Sequence, residues 1–294
     1  MTIKDRKQLT YWERFQNSFF SKSKWGKLFI YICLTIWSLT TIFPLAWVVL
    51  NSFKQSRQII TDTFSIPTDP TLQNYLNAFQ TVNIGKSYLN SLIMSSSVVF
   101  FVLLFGGIAA FAMARMKFKL RSTLQTLLIA SLLIPAFATI VPVYKMMIKL
   151  DLVNTYWGLI IPQTAGNLPF AILVISAYMA TIPRELEEAA VMDGCSRVKM
   201  FLNVILPISL PSFATVGTFV FLWSYNDLFS SLILVSQEKV APIVVLLANV
   251  SSQYGTDYGL MTAAIAMTVI PVLIVYLLAQ KTFEKGATAG AIKG

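Results

Sequence analysis

Six uncharged windows constrain this chain more than any other feature. They cover residues 28–53, 87–114, 122–144, 152–183, 200–226 and 258–280. Each exceeds the roughly 20 residues that a helix needs to cross hydrocarbon. Within hydrocarbon every backbone polar group must find its partner inside the segment, so each window is expected to be helical. The expectation is an all-α polytopic membrane protein with six transmembrane helices. A basic tail (1–27) would precede a membrane domain (28–280), and a short tail (281–294) would follow. A further run, 240–256, contains the shorter apolar stretch APIVVLLANV. It reads as interfacial or re-entrant, with a seventh span as the alternative.

Charge gives the orientation. Only 12% of residues are charged, against about 25% in soluble domains. The net charge of +10 would point to nucleic acid in a soluble protein. Here the basic residues lie between apolar runs, so no nucleic-acid partner is expected. Seventeen Lys and Arg fall in the tails and the loops 115–121 and 184–199, against six in the other loops. Positive charge collects on the cytoplasmic side, which places both termini and the 183–207 loop there. The lead-in 1–27 reads as a solvated or membrane-surface tail. It does not read as a cleavable signal, because the apolar stretch after it is too long.

The residue inventory excludes several chemistries. The chain has no His and two Cys, Cys33 and Cys195. No metal site of the usual His/Cys kind, no disulfide framework and no Ser-His-Asp mechanism is expected. Gly85-Lys86-Ser87 lacks the first glycine of a phosphate-binding loop, since Gln80 stands in its place. No cofactor and no catalytic residue is expected, and ATP used in transport would be bound by another polypeptide.

The loop 183–207, PRELEEAAVMDGCSRVKMFLNVILP, is longer than a membrane turn requires. Glu185, Glu187, Glu188 and Asp193 give it four of the 13 acidic residues. Pro183 suits a first helical turn, and the glutamates that follow favour the positive end of a helix dipole. Gly194 can take the left-handed conformation that ends a helix. Ser196 can cap a second short helix running through Asn203. Pro207 and Pro211 are expected to interrupt the apolar run beyond. Leu186, Ala189, Ala190 and Asp193 share one face by helical spacing. That small-residue face suits close approach by a partner's backbone. The same pattern also suits a helix-turn-helix that merely caps the membrane domain.

These residues carry a resemblance. The loop is similar to the EAA loop of ABC importer permeases: E-A-A, three residues, G, nine residues, I-x-L-P. Here Glu188-Ala189-Ala190, Gly194 and Val204-Ile205-Leu206-Pro207 match, with Val204 in place of Ile and Cys195 where Ala is usual. The longer form from Ile182 to Gly194 resembles the carbohydrate-importer branch, of the maltose and multiple-sugar type. The second window's ending, with Phe111, Met113 and Arg115, resembles the family's A-x-Y-A-x-A-R. The C-terminal T-A-G-x-x-K-G is matched by Thr288, Ala289, Gly290, Lys293 and Gly294.

The resemblance implies a permease subunit of an ATP-driven carbohydrate importer, with an oligosaccharide as substrate, in the bacterial cytoplasmic membrane. The implied partners are a second permease, an ATPase dimer, an extracellular sugar-binding protein and the lipid bilayer. Glu187, Glu188, Ala189, Ala190, Asp193 and Gly194 would couple to the ATPase, with Glu188 pairing to a basic residue there. Thr288, Gly290, Lys293 and Gly294 would reach into the ATPase dimer.

Inside the membrane domain, Gly106, Gly107, Ala109, Ala110, Ala112 and Ala114 form a small-residue stretch suited to close helix packing. Pro135 and Pro142 interrupt the third window, and Pro162 and Pro169 the fourth. Such prolines either kink a helix or expose backbone to a substrate path. Gln163, Thr164, Asn167 and Ser176 are candidates to line that path. Tyr225, Asn226 and Asp227 end the fifth window, at either an outer gate or the outer interface. An ion-coupled secondary transporter is the rival reading and would need more buried charge than Asp227 provides.

Overall fold

The computed structural model describes residues 24–81, 83–253 and 257–291. All regular structure among them is helical. In chain order the helices are α1 (Lys24–Asn51), α2 (Ser56–Thr61), α3 (Gln73–Thr81), α4 (Ile84–Arg115), α5 (Arg121–Leu132), α6 (Ala136–Lys149) and α7 (Tyr156–Met179). Then come α8 (Glu185–Met192), α9 (Arg197–Met200), a π-helical turn (Phe201–Ile205), α10 (Leu206–Tyr225), α11 (Leu228–Leu234), α12 (Ile243–Gln253) and α13 (Tyr258–Ala291).

Four stretches are long and apolar enough to cross a membrane: α1, α4, α7, and the continuous run from Arg197 to Tyr225. The third window is not one straight helix. It is split into α5 and α6, which meet at 102°. The cause is local: Pro135 is extended at φ −68° and ψ 136° and caps α6, and a proline disfavours helical backbone in the residue before it. Counted together, the pair is long and apolar enough for a fifth span, broken at the bend. α13 carries the sixth apolar window and stays helical past the expected end of the span, to Ala291.

Elsewhere proline acts differently from the expectation. Pro162 and Pro169 lie inside an unbroken α7. Pro207 opens α10 and Pro211 lies within it, so neither interrupts the run. The helix that Ser196 caps does not end at Asn203 but passes through the π turn into α10. A π turn adds one residue to a turn, and here it lets the loop helix and the span join without a break. In the 240–256 run, α12 has 11 residues, about 16 Å of helix and too short to cross. Its Ile243, Val245 and Leu246 are buried, so α12 is held by protein on at least one face.

The core sits where α4, α7 and α10 meet. Val98, Val102, Ala110, Ala171, Ile175, Val216 and Val220 are buried together there. Close approach is set by glycine at Gly107, where an added Cβ would stand 2.6 Å from Phe213 Cζ. No residue of α1 in its most apolar window is buried, which leaves that helix free for lipid or for another chain.

Candidate functional site

Two regions at opposite ends of the bundle carry the candidate residues. The first is a cavity of about 770 Å³ between the α5–α6 elbow, α7 and the α10–α11 junction. Its polar lining includes Gln163, Asn167, Ser224, Asn226 and Asp227, and its aromatic lining Trp223 and Phe229. The polar groups form a chain. Ser224 Oγ donates to Gln163 Oε1 at 2.5 Å, and Gln163 Nε2 donates to Asp227 Oδ2 at 3.0 Å. Asp227 Oδ1 accepts the backbone N–H of Ser230 at 3.1 Å, so the carboxylate also caps α11. Asn167 Nδ2 donates to the Gln163 carbonyl at 2.8 Å. No Lys or Arg is among the described lining residues.

Of the predicted path residues, Gln163, Asn167, Asn226 and Asp227 come together on this cavity. Tyr225 does not. It is 4% exposed, stacks on Phe221 at 5.7 Å and packs with Ile84 and Ile243 on another face of α10. Helical geometry explains the difference, because its neighbours Ser224 and Asn226 point elsewhere on the turn. Thr164 is buried away from the cavity, and Ser176 lines a separate small hollow of about 260 Å³ near Arg121. Sequence reasoning missed Ser224, Trp223 and Phe229. Their adjacency to Asn226 and Asp227 was the available signal.

Asp227 separates two roles by substitution. Asp227→Asn keeps an oxygen for Ser230 N–H and should melt close to the parent. Asp227→Ala loses both the cap and Gln163's acceptor, and should cost about 1–2 kcal/mol. Thermal unfolding of the two variants in detergent checks this.

The second region is the loop of α8 and α9. Gly194 has φ +75°, the left-handed conformation that allows the tight exit from α8. Ser196 caps α9 by accepting from Lys199 N–H. Pro183 stands one residue before the Arg184 cap of α8, not inside its first turn. The face expected to meet a partner is divided. Ala190 is 6% exposed and packs in the core cluster with Ala114, Ile182, Met200 and Ile205. Glu187 Oε1 lies 2.7 Å from Arg115 Nε, with the two side chains 18% and 5% exposed. The Nε–H is not aimed along that line, so the contact is an ion pair more than a linear hydrogen bond. Glu188, Ala189, Asp193 and Gly194 are exposed. Beside them Leu186, Val191, Met192 and Val198 are exposed too, Met192 by 87%.

Thr288 and Gly290 lie within the helical backbone of α13. Lys293 and Gly294, and residues 1–23, lie outside the described residues. Among the described residues no group of three or more His, Cys, Asp or Glu is placed to hold a metal ion.

Long apolar helices around a cavity that gathers several polar side chains, with a structured loop beyond them, fit a membrane transport component. Residues 102–288 match the family of binding-protein-dependent transport system inner membrane components, and the chain belongs to it. It is therefore a membrane-spanning transport component and not the ATP-hydrolysing part of such a system. It is similar to the diacetylchitobiose uptake system permease protein NgcG of Streptomyces coelicolor, 35% identical over 88% of this chain and 87% of that one. It is also similar to the arabinooligosaccharides transport system permease protein AraQ of Halalkalibacterium halodurans, 31% identical over 86% and 91%. The fold is shared with a solved bacterial ABC transporter that imports the acidic polysaccharide alginate. That match has a TM-score of 0.78 at 23% identity, over 89% of this chain and 98% of that one.

Proposed function

We propose that this chain is a permease subunit of an ATP-driven importer of neutral oligosaccharides. The cavity carries the reading. One carboxylate, three primary amides, serine and threonine hydroxyls and two aromatic rings suit a ligand with many hydroxyls and apolar ring faces. The single charge is negative, which disfavours uronate sugars by like-charge repulsion. A second permease would close the open side of the cavity, and an extracellular binding protein would deliver the sugar. The α8–α9 loop, with Glu188, Ala189, Asp193 and Gly194 outward, would dock on the ATPase, and the C-terminal segment with Thr288, Gly290, Lys293 and Gly294 would reach it as well. Alternating access follows if closure of the ATPase dimer drags the loop.

The test is reconstitution in proteoliposomes with the cognate ATPase, partner permease and binding protein. ATP-dependent uptake of neutral oligosaccharides, with no uptake of oligouronates, is the expected result. Uptake that follows an ion gradient without ATP would overturn the reading.

The same reading places both termini and the α8–α9 loop in the cytoplasm. In a Cys33→Ser, Cys195→Ser background, Thr68→Cys should label from outside sealed cells with an impermeant maleimide. Val198→Cys should label only after the cells are opened. The reverse pattern would invert the topology.

A further inference from the structure

We infer that Arg115 and Glu187 form the joint through which the docking loop moves the cavity-bearing helix α7. The inference rests on the proposed importer reading and concerns a contact that reading does not use.

Arg115 is the last residue of α4 and its side chain is 5% exposed. Its Nη2 donates to the carbonyls of Met179 at 2.6 Å and Ile182 at 2.7 Å. Those carbonyls belong to the end of α7 and the segment just past it. The last carbonyls of a helix lack partners within the helix and attract a cation. Nε of the same group sits against Glu187 of α8. One guanidinium therefore holds three elements, α4, α7 and α8. The group is planar and rigid, so the three are fixed in angle as well as in distance. Buried charges bound to one another separate only at high cost, which makes the joint stiff.

What the joint connects gives it a function. α7 runs from this point to Gln163 and Asn167, which line the cavity. α8 runs from it to the exposed Glu188 and Ala189. The two adjacent glutamates thus face different ways, Glu188 outward and Glu187 onto Arg115 at the end of α4. A push on α8 reaches α7 through Glu187 and Arg115 instead of being absorbed by the short link 180–184. Both are positioning residues, since neither touches the cavity.

The experiment uses the assembled complex with its ATPase and a cysteine reporter in the cavity. Gly166 lines the cavity, and a Cβ there meets nothing within 4 Å, so Gly166→Cys is tolerated in the Cys33→Ser, Cys195→Ser background. The rate of maleimide labelling is measured with and without AMP-PNP and magnesium. With the joint intact, nucleotide should change the rate. Glu187→Gln has nearly the same shape and removes only the charge. It should keep the ATPase bound and abolish most of the nucleotide response. Arg115→Gln should do the same, and Arg115→Lys should recover part of the response. If Arg115→Gln fails to accumulate, Glu187→Gln decides alone. A full nucleotide response in Glu187→Gln would overturn the joint. Loss of the ATPase from Glu187→Gln would also overturn it, making Glu187 a docking residue. If the ATPase does not co-purify with the unmodified joint, the importer reading itself fails, and the inference with it.

Discussion

Ala190→Glu should prevent accumulation of folded protein, while Ala189→Glu, one residue earlier, should leave the protein folded and unable to hold the ATPase. Ala190 lies 6% exposed among Ala114, Ile182, Met200 and Ile205. A carboxylate there is buried without a partner, beside the existing charge of Glu187. Burying an unpaired charge costs several kcal/mol. That is a large share of the roughly 5–15 kcal/mol by which a folded domain is stable. Ala189 is exposed, so a carboxylate there meets water in the free subunit. It becomes costly only when a partner covers it. Membrane abundance and detergent melting report the first effect, and pull-down of the ATPase reports the second. Normal melting of Ala190→Glu would contradict the packing described. Normal ATPase capture by Ala189→Glu would contradict the docking face.

Gly107→Leu should be the most damaging single change within the membrane. An added Cβ already stands 2.6 Å from Phe213 Cζ and 2.7 Å from Cε1. Phe213 is 9% exposed, so its ring has little room to withdraw. Overpacking of this kind costs about 1–3 kcal/mol for modest additions, which is the range expected for Gly107→Ala. Leucine adds three further carbons and should force α4 and α10 apart. The compensating change is Phe213→Ala, which opens space on the facing helix. The double variant should be more stable than Gly107→Leu alone, because contacting sites are not additive. Thermal unfolding in detergent reads both. Equal melting of Gly107→Leu and the parent would show that the two helices do not meet there.

The apolar helices were legible because length and the absence of charge determine them with little reference to tertiary context. The bend within the loop was legible for a similar reason: Gly194 and Ser196 act on their own backbone. The effect of proline was not. Pro135 breaks a span, whereas Pro162, Pro169 and Pro211 sit inside continuous helices, because neighbouring packing decides whether freed carbonyls are tolerated. The two faces of α8 were not separable either. Close approach to a partner and close approach to the chain's own spans both call for small residues, so Ala189 and Ala190 look alike in sequence. Arg115 read as a basic stop to a span, and only the fold brings Glu187 to it. Tyr225 shares its sequence neighbourhood with Ser224, Asn226 and Asp227, yet only those three line the cavity, because its side chain leaves the helix toward Ile84 and Ile243.

The run from Arg197 to Tyr225 has a mechanical consequence. It is 29 residues long, about 43 Å of rod, with the π turn near its base. A π turn is a weak point in helix bonding, so the base is where such a rod pivots. Ser224 lies about 20 residues, roughly 30 Å, beyond that turn, so a tilt of about 5° there would carry it through roughly 2.6 Å. Ser224 rides on that end and is tied to Gln163 of α7 by one hydrogen bond of 2.5 Å. A shift of that size across the bond would break it and not merely lengthen it, so the lean of the rod and the shape of the cavity wall would change together.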